Sequence, residues 1–225
     1  LDGNDAGNVD RHVFSLAGLA PARRHQVEVD NQTLVFETAG ETAALDIRAF
    51  GADPASANNA RAIQGAIDAC PPGGTVLFPA GRFMSAPLFL RSGVNLHFAA
   101  GSVLKAVAER ACFPILPARD SNGAVLGVWE GEALDSHAAL LTGIEAENVA
   151  ITGAGTIDGG GVEGGWWNTP KARIPACRPR TLYLLRCRAV TVAGVTVTNS
   201  PSWTIHPLYS RNMAFLDLAI ANPHD

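Results

Sequence analysis

The side chains best suited to chemistry lie in one basic stretch, residues 171–188 of a 225-residue chain whose formal net charge is −4. This stretch contains no Asp or Glu, and its cationic side chains are Lys171, Arg173, Arg178, Arg180, Arg186 and Arg188. Guanidinium groups form bidentate, charge-assisted hydrogen bonds with carboxylates. The pattern therefore favours a ligand that carries carboxylates. The structural alternative is a solvated loop and strand face.

Three other sites in the sequence have residue types that bind ligands or transfer protons. His206 has an ordinary pKa near neutrality and can bind a ligand or shuttle a proton, although a single His more often has a structural role. Trp166 and Trp167 can stack on sugar rings or anchor a loop by burial. Asp158 precedes a run of glycines, and we interpret it as a turn residue that accepts hydrogen bonds from its own backbone.

The elements that position these residues follow from a repeat around the stretch NSPSWTIHPL, residues 199–208. It lies between two similar strand-like runs, 189–197 and 212–220, in which Val190 and Met213 are equivalent and 23 residues apart. That period is typical of solenoids, and short apolar strands at this interval predict a parallel β-helix whose coils contact their neighbours. Within the stretch, Trp203 and Ile205 are predicted to fill the core.

The same pattern extends towards the N-terminus, where Val94 and Val149 are predicted to be equivalent to Val190 and Met213. The intervals are 55, 41 and 23 residues. We interpret the longer intervals as two or more coils, with the surplus residues in two long loops, 109–138 and 159–176. The apolar stripe of residues 58–70 predicts a helix that covers the open N-terminal end of the first coil.

The N-terminal segment has a different character. Strict alternation over residues 25–29 predicts one strand, and residues 33–38, which follow the turn residues Asp30-Asn31, are predicted to form a second. Leu19-Ala-Pro21 followed by His25 resembles the corner of fibronectin type III sandwiches, except that His25 replaces a Tyr whose hydroxyl bonds the backbone. We therefore predict that residues 1–44 are the last strands of such a domain plus a linker, and that residues 45–225 are the N-terminal portion of the β-helix domain. A simple hairpin extension is the alternative for the first segment.

Composition narrows the class of protein. Hydrophobic residues make up 47% and charged residues 17%, and 23 Gly with 14 Pro favour an all-β chain rich in turns. The acidic balance argues against nucleic acid as a partner, and no apolar run reaches the roughly 20 residues that span a bilayer. The cysteines lack CxxC spacing, so we expect no zinc site, no other metal and no cofactor. Cys112 and Cys177 lie in loops and could pair in an oxidising compartment.

The stretch at 199–207, together with Arg178-Pro179-Arg180, resembles the polygalacturonases, which are pectin-degrading glycoside hydrolases. The resemblance covers about residues 45–225. It implies a right-handed parallel β-helix and inverting hydrolysis of α-1,4-galacturonosyl linkages, which needs a carboxylic acid and a carboxylate base. A fibronectin-like domain is more typical of exo-acting bacterial members, so exo action is expected. Secretion or a periplasmic location is also implied, although the N-terminus shows no signal segment.

The family supplies its catalytic groups from Asn-Thr-Asp, Asp-Asp, Gly-His-Gly and Arg-x-Lys motifs, none of which occurs in these 225 residues. We therefore expect no catalytic residue within this chain, catalytic aspartates beyond Asp225, and no turnover by the chain alone. Arg180, His206 and Trp167 are the predicted binding residues for polygalacturonate or pectin oligosaccharides. The alternatives are a non-catalytic carbohydrate-binding β-helix and a related rhamnogalacturonan or xylogalacturonan hydrolase.

Overall fold

The computed structural model describes residues 16, 19–20, 22–38, 40 and 42–223. Residues 1–15, which are predicted to belong to the preceding domain, lie outside the described residues, as do Pro21 and Asp225. The described helices are α1, Ala60–Ala69, and two short 3₁₀ segments, Ile47–Phe50 and Arg110–Cys112. The strands, in chain order, are β1 Arg24–Val29, β2 Gln32–Glu37, β3 Ala44–Asp46, β4 Thr75–Phe78, β5 Gly81–Ser85, β6 Leu88–Phe89, β7 Asn95–Phe98, β8 Ser102–Ala106, β9 Ile115–Leu116, β10 Val128–Trp129, β11 Glu132–Ala133, β12 Ser136–His137, β13 Leu141–Ile144, β14 Glu147–Gly153, β15 Thr156–Asp158, β16 Leu182–Leu185, β17 Arg188–Ala193, β18 Thr196–Thr198, β19 Ile205–Leu208, β20 Arg211–Leu216 and β21 Ala219–Ala221.

Three parallel sheets form a solenoid, because each coil of the chain adds one strand to each sheet in turn. The six-stranded sheet has the order β20-β17-β14-β7-β4-β3, the five-stranded sheet β21-β18-β15-β8-β5, and the four-stranded sheet β19-β16-β13-β6. Alternate side chains point inward, so that Val190 and Val192 of β17 are fully buried. Equivalent residues stack between coils, as Phe78 and Phe98 do with ring centroids 4.2 Å apart. The prediction of an all-β chain wound as a parallel β-helix is confirmed.

The strand register decides how many coils the long intervals contain. Val149 pairs with Val190, and Val190 pairs with Met213, as predicted. The pairing of Ile151 with Leu96 continues the offset of 55 residues. Because these residues are neighbours in adjacent strands, each interval is a single coil, and the interpretation of two or more coils was wrong. The extra residues leave the coil as the loops at 109–138 and 159–176, which is tolerated because the entropy cost of closing a loop grows slowly with length.

Helix α1 covers the exposed edge of the four-stranded sheet. Its inner face buries Ile63, Ala66 and Ile67. The Gln64 side chain makes the hydrogen bonds that a neighbouring strand would make with Phe89. Its Oε1 accepts from the Phe89 amide at 2.8 Å, and its Nε2 donates to the Phe89 carbonyl at 3.1 Å. Strand β6 would otherwise present unpaired backbone groups at this edge. The predicted capping role of the helix is confirmed.

The hairpin β1–β2 is antiparallel and begins at the corner that the sequence singled out. The His25 ring is buried, its Nε2 lies 3.0 Å from the Ala20 carbonyl oxygen, and it stacks on Phe36. An imidazole thus makes the backbone hydrogen bond that a Tyr hydroxyl makes in a sandwich corner. On the hairpin, Leu34 and Val35 are 58% and 47% exposed. The fibronectin-like assignment of this segment stays a prediction.

The described ranges bear on the predictions about membranes, metal ions and disulfides. No helix there is long and apolar enough to cross a membrane. No group of three or more His, Cys, Asp or Glu side chains there could hold a metal ion. The Cys70, Cys112, Cys177 and Cys187 side chains are free thiols, so Cys112 and Cys177 are not paired.

Candidate functional site

The corner between β18 and β19 is formed by residues 199–204, the first part of the repeated motif. Its inner positions are occupied by Ser200 and Ser202, which are almost fully buried. Ser200 accepts a hydrogen bond from the Thr181 hydroxyl at 2.8 Å, and Ser202 donates to the Pro179 carbonyl at 2.5 Å. These bonds join the corner to the coil before it. The two serines take the inside of the turn, and Trp203 therefore lies outside the core.

The prediction that Trp203 fills the core is accordingly wrong, because the side chain is 42% exposed. Ile205 does pack against the core. Leu182 of one coil pairs with Ile205 of the next. Arg180 lies two residues before Leu182, and Trp203 lies two residues before Ile205, so Arg180 is one coil below Trp203. The exposed Trp is thus held over a buried Arg by the strand register.

Around Trp203 the structure assembles a set of rings and guanidinium groups from three parts of the chain. We name it the aromatic–arginine cluster, and its members are Trp129, Trp167, Arg178, Arg180, Tyr183, Trp203 and His206. Trp129 and Trp203 are parallel, with centroids 5.7 Å apart and an interplanar angle of 5°. The Arg180 Cζ lies 5.3 Å and 5.2 Å from these two centroids and 5.4 Å from that of Tyr183. Such cation–π contacts strengthen when water is excluded.

Arg178 forms the second cationic centre of the cluster. Its Cζ lies 4.4 Å from the Trp167 centroid and 5.3 Å from that of Trp129. Its Nη1 donates to the Pro201 carbonyl at 2.6 Å. The Trp167 indole donates to the Ser200 carbonyl at 3.0 Å, so the ring is fixed to the corner while remaining partly exposed.

Arg180 is 2% exposed, so its head group is buried beneath the rings. Its Nη2 donates to the Val128 carbonyl, and no described carboxylate is paired with it. Burial lowers the pKa of Arg180 to about 10, which still leaves the group charged at neutral pH. A buried cation without a carboxylate is costly, and it makes the cluster attractive to an anion.

His206 lies at the edge of the same cluster. Its ring contacts Trp203 edge-on at 4.6 Å and Tyr183 at 5.3 Å. Burial, together with the positive charge of Arg180, lowers the pKa of His206 to about 4. The imidazole is therefore neutral above about pH 5, and its buried Nδ1 has no hydrogen-bond partner among the described residues. It suits hydrogen bonding to a neutral group better than proton donation.

The three predicted binding residues, Arg180, His206 and Trp167, are therefore brought together, and the structure adds Trp129, Arg178 and Tyr183. Trp129 comes from β10, in the loop at 109–138, where no periodicity of the sequence points to it. Tyr183 was hidden in an apolar strand, where its hydroxyl donates to the Leu126 carbonyl at 2.9 Å. The adjacent Trp166 is 2% exposed and anchors its loop, while Trp167 joins the cluster.

A separate network fixes the loop at 159–176 to the solenoid. Lys105 Nζ lies 2.7 Å from Asp158 Oδ2 and 2.5 Å from Glu163 Oε1. The Asn199 amide donates to both carboxylates at 2.8 Å. Asp158 also accepts from the Gly160 amide at 3.0 Å, which confirms its interpretation as a turn residue. Although burial acts to raise it, hydrogen bonds from Lys105 and Asn199 lower the pKa of Glu163 to about 2, so this carboxylate stays ionised.

Comparisons with known proteins show which family this chain resembles. Residues 123–225 match the family model for glycosyl hydrolases family 28. A probable polygalacturonase of Vitis vinifera is 31% identical over 154 residues, covering 67% of this chain and 30% of that protein. An endo-polygalacturonase of Pectobacterium parmentieri is 32% identical over 166 residues, covering 68% of this chain and 39% of that protein. The chain thus spans well under half the length of these relatives.

Among solved structures, the family 28 exopolygalacturonase of Yersinia enterocolitica matches with a TM-score of 0.73 at 20% identity. The match covers 92% of this chain and 46% of that one, and at this identity it speaks for the fold. The family match, the relatives and the fold together identify the chain as polygalacturonase-like, with residues 123–225 carrying the likeness to glycosyl hydrolases family 28.

Proposed function

We propose that the chain serves the hydrolysis of α-1,4-galacturonosyl linkages in pectin and polygalacturonate, and that the aromatic–arginine cluster binds the galacturonan chain. The observation that carries this proposal is the buried Arg180, which has no carboxylate partner among the described residues and lies beside the exposed Trp203. Galacturonate offers both matching features, a carboxylate for the guanidinium charge and an apolar ring face for the indole.

The chemistry is inverting hydrolysis, in which one carboxylic acid protonates the leaving oxygen and a carboxylate activates water on the opposite face of the sugar. Asp158 and Glu163 do not fit these roles, because both are held by Lys105 and Asn199. A group with a pKa of about 2 is also a poor proton donor near neutrality. We expect the catalytic pair outside the described residues, and binding without hydrolysis by the 225-residue chain.

The finer assignments belong to the same proposal. Residues 45–225 contribute the N-terminal coils of a right-handed β-helix catalytic domain, and residues 1–44 contribute the last strands of a fibronectin type III-like domain. The corner hydrogen bond of His25 and the exposed Leu34 and Val35 support the second assignment, since a sandwich covers such residues. An exo mode and a secreted or periplasmic location complete the proposal.

Calorimetric titration of the chain with polygalacturonate tests the binding role. Fully methyl-esterified polygalacturonate is the matched ligand, because it keeps the sugar and removes the charge. We expect the esterified polymer to bind at least about fivefold more weakly at low ionic strength, since it lacks the charge that the buried guanidinium group of Arg180 attracts through space, and Trp203→Ala to weaken both polymers. Equal affinity for the two polymers would refute the role of the cluster.

Binding without any hydrolysis, as in a carbohydrate-binding β-helix, is the second candidate. It is favoured by the engagement of Asp158 and Glu163 in the Lys105 network. Reducing-sugar release by the parent protein separates the candidates. Release above background supports the hydrolase, and binding with no release at any pH supports the alternative.

A further inference from the structure

Residues 125–129, which we name the Trp129 segment, are bound to the solenoid through their backbone carbonyl groups. Three donors from one stretch of the chain reach them: Arg180, Tyr183 and Arg186. Arg180 donates to the carbonyl of residue 128, and the Tyr183 hydroxyl donates to that of residue 126 at 2.9 Å. The Arg186 Nη1 donates to the carbonyl of residue 125 at 2.6 Å. Of the three donors, Arg186 lies outside the aromatic–arginine cluster.

Other hydrogen bonds join the Trp129 segment to the rest of its own loop. The Leu126 and Gly127 amides donate to carbonyl groups of residues 117–118 at 3.0 Å and 2.8 Å, and β10 pairs with β11 over two residues. None of these bonds reaches a coil. The position of the segment over the solenoid therefore depends on the three donors, on ring contacts, and on Leu126, which packs in a small apolar cluster with Tyr183.

Arg186 makes two hydrogen bonds at once. While its Nη1 donates to the Val125 carbonyl, its Nε donates to Glu145 Oε1 at 2.9 Å, in the coil before it. The Glu145 side chain is 66% exposed, so this ion pair adds little stability by itself. Its effect is to orient the guanidinium group towards Val125. A planar guanidinium fork can make both bonds in this geometry, whereas the single ammonium group of a Lys is a point charge without the fork.

A neighbouring ion pair lacks this link and shows what is particular to Arg186. Arg188 pairs with Glu147 across the same two coils, and the two pairs have the same separation of 41 residues. Both guanidinium bonds of Arg188 go to the Glu147 carboxylate. Within the described residues, Arg188 makes no hydrogen bond to the loop at 109–138. The two arginines thus carry the same charge at nearby positions, and Arg186 is the one that holds the loop.

The position of the Trp129 segment matters for the exposed ring of Trp203. Trp129 is buried, and it stacks parallel to Trp203 with the two centroids 5.7 Å apart. The inner ring therefore supports the outer ring, which is the one that a ligand can reach. An aromatic side chain that is already held in one orientation loses less conformational entropy when it binds a ligand.

We propose that Arg186 is a positioning residue for galacturonan binding. It fixes the Trp129 segment, Trp129 in turn holds Trp203 in one orientation, and Arg186 itself does not contact the ligand. This inference rests on the proposed function, because it takes Trp203 as the surface on which the sugar ring stacks. Since that stacking does not involve the carboxylate, the contribution of Arg186 is the same for charged and for methyl-esterified galacturonan.

The test compares R186Q, R186K and the charge-matched control R188Q in the whole chain. Proton NMR of the free chains reports the nuclear Overhauser effect between the Trp129 and Trp203 rings, and calorimetry gives the affinity for fully methyl-esterified polygalacturonate. We expect R186Q to lose the Overhauser effect and to bind about threefold to tenfold more weakly, because Trp203 must then be ordered on binding. R186K keeps the charge without the fork and should fall between R186Q and the unaltered chain, and R188Q should change neither readout.

The outcomes separate this inference from the proposed function. An Overhauser effect that persists in R186Q, or an affinity of R186Q for the esterified polymer equal to that of R188Q, overturns the positioning role. A loss in R186Q that is confined to the charged polymer also overturns it, since Arg186 would then act by its charge alone. In each of these cases the proposed function stands if Trp203→Ala still weakens both polymers. If Trp203→Ala leaves both affinities unchanged, the proposed function fails and the positioning role fails with it.

Discussion

Replacing Arg180 by Met tests whether a costly buried charge is retained for ligand binding. Burial lowers the pKa of Arg180 from 12.5 to about 10, so the protein disfavours the charged form by about 3 kcal/mol. The Met variant removes this cost and keeps most of the side-chain volume. It loses the bond to the Val128 carbonyl, a contribution of about 1.5–3 kcal/mol, and the contacts with the rings. The opposing effects nearly cancel, and we expect the free energy of unfolding to change by no more than about 1 kcal/mol.

Binding should respond differently. A carboxylate in contact with the exposed part of Trp203 would lie about 9 Å from the Arg180 Cζ, an attraction of about 2 kcal/mol at an effective dielectric constant of 20. Screening over a Debye length of about 8–10 Å reduces this value in physiological salt. We therefore expect Arg180→Met to weaken polygalacturonate about fivefold to thirtyfold at low ionic strength, and less at high salt.

The assay combines calorimetric titration with urea unfolding of the same samples. Arg180→Ala is the matched structural control, because it also creates a cavity and should destabilise the chain by a further ~2–4 kcal/mol. Arg180→Lys keeps a charge without the planar fork and should recover only part of the affinity. Unchanged affinity of Arg180→Met, or a loss that is equal for the methyl-esterified polymer, would refute the electrostatic reasoning.

Three further perturbations have defined outcomes. Because the pKa of His206 is lowered from 6.5 to about 4, the contribution of the neutral ring to stability is complete above pH 6.5 and is lost as the pH falls towards 4. His206→Gln should therefore flatten that part of the pH dependence of the melting temperature. An unchanged slope would contradict the lowered pKa of His206. Lys105→Met should destabilise the chain by about 2–4 kcal/mol in urea unfolding. It should also raise the pKa of Glu163 from about 2, measured by carboxyl NMR titration. A Glu163 pKa that remains at about 2 in this variant would show that Lys105 does not cause the lowered value. Gln64→Ala should cost about 1–3 kcal/mol, and Gln64→Glu should recover only the bond from the Phe89 amide; equal stability of all three chains would show that the sheet edge needs no cap.

The sequence by itself determined the class of fold. Alternating Val and Ile residues specify strands that bury one face, and Val149, Val190 and Met213 do pair in the predicted register. The helix could be predicted because an apolar stripe on a single short helix must pack against another element, and in the structure this helix does pack against β6. Asp158 was identifiable as a turn residue, because a carboxylate before glycines reaches its own backbone. These features depend on neighbours along the chain, which a local pattern encodes.

Only the tertiary structure decided how many coils the intervals contain and what lies in the site. An interval of 41 residues reads equally well as two coils or as one coil with an insertion, because side-chain alternation does not record where the chain leaves the sheet. Trp129 reaches Trp203 from a loop without periodicity. Arg180 is buried between two Trp rings, and nothing in its own segment of the sequence shows that those rings lie there. The burial and the charge of this site arise where three distant segments of the chain pack together, and no single segment encodes that packing.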